Sequence, residues 1–135
     1  KINISANEAY TITTASATVT IYDDDKPTVS VSASDKTATE AGVTTGTFKI
    51  TRTPATPGAL TVSYTMSGTS VSGVDYTSLP GSVAIPAGAA SVNVVLTPVD
   101  DTVVEVAETA IMQITAGTTY QVGTAKATVT ITSNE

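Results

Sequence analysis

Leu60-Thr61-Val62-Ser63-Tyr64-Thr65-Met66 decides the class of fold. Large apolar side chains at 60, 62, 64 and 66 alternate with hydroxyl side chains, so one face of this stretch is oily and the other wets. That period of two belongs to a half-buried β-strand, because successive side chains of a strand point to opposite faces. The same alternation recurs outward in both directions. It is carried by Val29, Val31 and Ala33, by Phe48 and Ile50, by Val83 and Ile85, and by Val92, Val94 and Leu96. Met112 with Ile114, then Ala127, Val129 and Ile131, supply the last two runs. Gly42, Gly46, the segment from Pro54 to Gly58, Gly68, Gly73, Pro80-Gly81 and Gly117 punctuate them with turn chemistry. Only Val103 to Ile111 could pass for a helical turn, and its Val and Thr content argues against one. The reading is all-β: an antiparallel sandwich of about seven strands.

Residues 1–25 align without a gap on residues 111–135. Ile4/Ile114, Ala6/Ala116, Tyr10/Tyr120, Thr14/Thr124, Ala15/Ala125 and the run Ala17–Ile21 against Ala127–Ile131 are identical, ten pairs in 25 positions. A spacing of 110 residues has the length of a β-sandwich module. Residues 1–25 are therefore expected to be the closing hairpin and acidic linker of one module, and residues 26–135 a complete second one. The chain reads as a piece of a tandem array.

Composition closes off several kinds of function. Twelve acids against six bases give a net charge of -6, a poor match to nucleic acid or an anionic membrane. No window approaches a membrane span, and Lys1-Ile2-Asn3-Ile4 does not open a signal peptide. With no Cys and no His, neither thiolate nor imidazole is available to a metal, and the usual general base is missing. Five Tyr raise a carbohydrate-stacking reading, but Tyr10 and Tyr120 are repeat-equivalent and Tyr64 lies in the inward series, so they read as structural. Paired acids could serve a glycosidase, yet a sandwich of this size leaves little room for a cleft. The expectation is a module that is not an enzyme. Abundant Thr, Ser, Ala and Val suit a bacterial surface or secreted protein.

The chemistry concentrates in Val99-Asp100-Asp101-Thr102-Val103-Val104-Glu105-Val106-Ala107-Glu108. Four carboxylates fall within nine residues, and the nearest bases in sequence are Arg52 and Lys126. Like charges held this close raise one another's pKa unless a cation lies among them. Carboxylate oxygens in such number suit Ca2+, which takes six to eight oxygen ligands. The competing reading is a solvated acidic loop.

Gly68-Thr69, Gly73-Val74-Asp75-Tyr76, Asp100-Asp101 and the run from Ala17 through Asp25 together carry a family resemblance. The chain resembles the Calx-beta module, an immunoglobulin-like sandwich of sodium/calcium exchangers, an integrin beta subunit and many bacterial surface proteins. The likeness spans residues 27–132, and residues 1–25 resemble the module's final hairpin and linker. It implies Ca2+ held at one tip by Glu40, Asp75, Asp100, Asp101, Glu105 and Glu108, with the Val103 carbonyl as a further ligand. The family's acidic linker falls on Asn134 and Glu135, after Ser133; the preceding copy has Asp23-Asp24-Asp25 there. That loss of charge implies fewer ions or weaker binding, and Ser70 replaces a family Ala. The implied function is a calcium-binding structural or adhesive repeat, rigidified at the tip facing the next repeat. The alternative is a Ca2+-independent spacer with a decayed site. Neighbouring repeats are the expected partners. A homodimer through residues 1–25 is a further expectation, since Ile4, Val19 and Ile21 give that hairpin an apolar face.

Overall fold

The computed structural model describes residues 1–5, 7–20 and 25–134. Within them the chain forms strands and no helix: β1 (Ile2–Asn3), β2 (Ser16–Ala17), β3 (Thr28–Asp35), β4 (Thr37–Thr39), β5 (Gly46–Thr53), β6 (Leu60–Gly68), β7 (Ser82–Ile85), β8 (Ser91–Leu96), β9 (Glu108–Ile114), β10 (Gln121–Val122) and β11 (Lys126–Thr132). From β3 onward they make two sheets, ordered β10-β3-β5-β8 and β4-β11-β9-β6-β7. The nine strands come from seven runs. The first run breaks at Lys36, so that β3 lies in one sheet and β4 in the other; the last breaks between β10 and β11 in the same way. Both broken runs pair in parallel, β10 with β3 and β11 with β4, and every other pairing is antiparallel.

The alternation in sequence becomes the core. Val29, Val31, Phe48, Ile50, Val94 and Leu96 face inward from one sheet; Val62, Tyr64, Ile85, Met112, Ile114, Val129 and Ile131 face them from the other. Each side chain of this size contributes roughly 1.5–3 kcal/mol on full burial. The segment from 103 to 111, ambiguous in sequence, is loop as far as Ala107 and strand from Glu108.

Arg52 lies on the same face of β5 as Phe48 and Ile50 and is 1% exposed. All five of its N–H groups donate to oxygens of the loops after β5 and β7. Nε donates to Ala89 O, Nη1 to Thr56 Oγ1 and Gly58 O, and Nη2 to Thr56 O and Pro86 O, at 2.7–2.9 Å. A guanidinium with every donor matched tolerates burial that an unsatisfied one would not. It ties the loops at one pole of the sandwich; the acidic loops lie at the other.

The described residues of the hairpin 1–20 share their register with the closing hairpin. Ile2 pairs with Ala17 and Asn3 with Ser16, as Met112 pairs with Ala127 and Gln113 with Lys126. Ile4 N donates to Ala15 O at 2.8 Å, as Ile114 N does to Ala125 O. Tyr10 Oη donates to Ser5 O as Tyr120 Oη does to Thr115 O. Tyr120 also accepts from Ser63 N and packs so closely on Gly117 that a Cβ there would meet its ring at 2.4 Å. Ile21 and the acids Asp23 and Asp24 lie outside the described residues.

Candidate metal centre

The acidic tip is assembled from strand ends. Gly68 closes β6 at φ +124°, and a Cβ on it would fall 2.0 Å from Thr109 O. Only glycine permits that approach. It lets Thr69 N and Ser70 N both donate to Thr109 O, while Thr109 N donates back to Thr69 Oγ1. Thus the start of β9, and with it Glu108, is fixed beside the loop that carries Asp75. That loop is tied by Val74 N and Asp75 N donating to Val71 O, and by Val71 N donating to Asp75 Oδ2 at 2.5 Å. Tyr76, 1% exposed, plugs into the core and bridges to Pro98. Val99 N donates to Asp75 O, which brings in the segment after β8.

Asp75, Glu105 and Glu108 each present a carboxylate oxygen within 4.8 Å of the others. Asp75 is buried, and Glu105 and Glu108 are half-buried. Glu40 stands close enough to act on Glu108 electrostatically; it is 2% exposed, at the turn after β4, where its N–H donates to Thr132 O. Burial pushes the Glu108 carboxyl above its ordinary range. A side-chain hydrogen bond with Asp75 and the charges of Asp75, Glu105 and Glu40 push it the same way. Glu108 Oε2 is buried with no hydrogen-bond partner among the described residues. Asp75, Glu105 and Glu40 around Glu108 and its unsatisfied buried oxygen form a donor set that a hard cation fits.

The other acids of the long acidic stretch are placed differently. Asp101 Oδ1 accepts from Val103 N at 2.7 Å, closing a local turn, and Asp100 is exposed; neither stands in the three-carboxylate group. Val103 is exposed in the same loop, and Asn134 is exposed after β11. Glu135 lies outside the described residues. The sequence gives no hint of the apolar rim around the acids: Val43, Val71, Val74, Val103, Val104 and Val106 are all exposed, Val104 and Val106 by 80% and 83%.

The Calx-beta domain family model matches residues 22–135. The chain belongs to the Calx-beta family. The apo form of the Calx CBD1 domain is similar over 82% of this chain and 100% of its own, with a TM-score of 0.67 at 18% identity. The calcium binding domain CBD12 of CALX1.1 is similar over 77% of this chain, with a TM-score of 0.64 at 19% identity. CBD12 from CALX1.2 is similar over 78%, with the same score and identity. This chain spans 44% of each CBD12 chain. No curated protein matches the sequence. At these identities the likeness establishes a shared sandwich fold.

Proposed function

We propose that this Calx-beta module is a binding module that takes Ca2+ at its acidic tip, held by Asp75, Glu105 and Glu108 with Glu40 beside them. Two observations carry the reading: Asp75, Glu105 and Glu108 bring carboxylate oxygens within 4.8 Å of one another, and Glu108 Oε2 is buried without a hydrogen-bond partner among the described residues. Ca2+ takes more oxygens than these groups offer singly, so bidentate carboxylates, water, Asp100, Asp101, the Val103 carbonyl and the Asn134–Glu135 end are the sources of the remainder. The ion supplies charge neutralisation and a rigid link between loops. The loops from β4, β6 and β8 and the start of β9 then become one body, and binding that favours this ordered state stabilises the fold by linkage.

The setting we propose is a tandem array in a surface or secreted bacterial protein, with Ca2+ stiffening the joint to the next repeat. Two features support it. The hairpin of residues 1–20 shares its register with that of 111–130, and β11 leaves the sandwich at the acidic tip, where the valine rim is exposed. An adhesive role would use the same stiffened array. The competing reading is a Ca2+-independent spacer, favoured by the position of Asp100 and Asp101 outside the carboxylate group. A homodimer through residues 1–25 is the other use for the exposed Ile4 and Val19. Calorimetric titration of the whole chain with Ca2+ separates the first two readings: saturable binding lost in Asp75→Asn with Glu108→Gln supports the metal module, and no heat at millimolar Ca2+ supports the spacer.

A further inference from the structure

On the flank of the sandwich, β3 and β11 diverge into different sheets and leave a groove of about 570 Å3 between them. Its walls include Val31, Ala33 and Ala127, with Lys36, Lys126 and Thr128 also lining it. Small side chains at 33 and 127, at inward positions where the strands elsewhere carry valine or isoleucine, leave this flank of the core open. The backbone edges are open as well. On its outer side β3 is engaged by the segment 121–124 only as far as Val31, whose N–H donates to Thr124 O. β11 is engaged by the opposite run only from Thr130, whose N–H donates to Lys36 O. Between those points about four residues on each strand have no partner on the side facing the groove, a gap of about 13 Å at strand spacing. Two of the six bases of this acidic chain line the gap, and among the described residues neither forms a salt bridge.

We infer that this groove docks an extended acidic peptide segment of a partner protein, which adds as a strand to the free edge of β11 and sets carboxylates against Lys36 and Lys126. Backbone pairing to an open edge supplies the attachment, and alternate side chains supply the selection. The charge match favours this occupant: the groove is a cationic site on a chain of net charge -6, which repels acidic segments elsewhere. None of Glu40, Asp75, Glu105 and Glu108 lines the groove, so the test is made without Ca2+.

The test is fluorescence anisotropy of the labelled peptide Glu-Val-Glu-Val, whose four residues match the gap, titrated with the whole chain in EDTA at low salt. Saturable binding is expected, weakened about tenfold or more by K36E with K126E and changed less than about twofold by K49E on the outer face of β5. Ala127→Leu, which fills the groove, should abolish binding while far-UV circular dichroism stays that of the parent. The same peptide with Lys for Glu should not bind. Absence of saturable binding at millimolar chain overturns the inference. So does binding indifferent to the double substitution. If K36S with K126S self-associates and the parent binds no peptide, the lysines only guard an exposed edge.

Discussion

Asp75 and Glu108 bring carboxylate oxygens within 4.8 Å of each other, with Glu105 in the same group and Glu40 adding charge of the same sign. Two carboxylates cannot both be ionised in such a contact without cost; they share a proton or they share a cation. Replacing Glu108 by Gln removes one negative charge and keeps the shape. The variant is expected to be more stable than the parent in EDTA by about 1 kcal/mol, the size of a close like-charge contact near a surface. It should also gain much less stability from Ca2+. Urea unfolding with and without Ca2+ reads both effects.

The raised pKa of Glu108 sets the pH dependence. In the unfolded chain this carboxyl titrates near its ordinary 4.5, and in the folded chain it holds its proton to higher pH. Its contribution to stability is therefore full below 4.5 and is lost as pH rises through the folded value. In EDTA the unfolding midpoint should fall across that window. Ca2+ displaces the proton, so its apparent affinity should rise over the same window. Midpoints measured every half pH unit, with E108Q as the reference for the other titrating groups, check the sign.

Arg52 and Gly68 hold the two poles. Arg52→Met removes five hydrogen bonds that tie these loops and is expected to cost about 3 kcal/mol, measured by urea unfolding. It should leave Ca2+ affinity little changed, because those loops lie opposite the acids. Gly68→Ala places a Cβ against Thr109 O at a φ that alanine avoids. It is expected to cost at least about 2 kcal/mol and to weaken Ca2+ binding, because Glu108 is next to the residue displaced.

The sandwich was legible because alternation is local. Leu60 to Met66 and its counterparts name their own inward faces, and even Arg52 lies in the parity of Phe48 and Ile50, though parity alone does not say that a base would be buried. The splitting of the first run at Lys36 was not legible, since the two halves differ only in which sheet accepts them. At the tip, the sequence marks the acids but not their distances. Asp100 and Asp101 look strongest on the page because they are adjacent, yet adjacency in a loop aims side chains apart, and Asp101 turns to its own backbone. Glu108 looks weaker between Ala107 and Thr109, yet it opens β9 and is carried onto Asp75 by the contact between Gly68 and Thr109.

That contrast gives its own prediction. Asp75→Asn with Glu108→Gln should weaken Ca2+ binding far more than Asp100→Asn with Asp101→Asn. Parallel titrations of the two double variants rank them.

The most direct measurement is thermal unfolding of the whole chain in EDTA and at rising Ca2+, beside the variant D75N/E105Q/E108Q. Binding at the tip predicts a parent midpoint that climbs with Ca2+, on the order of 10 °C at a hundredfold excess over Kd, and a variant midpoint that does not move. A parent midpoint indifferent to millimolar Ca2+, or a variant that climbs equally, would contradict it.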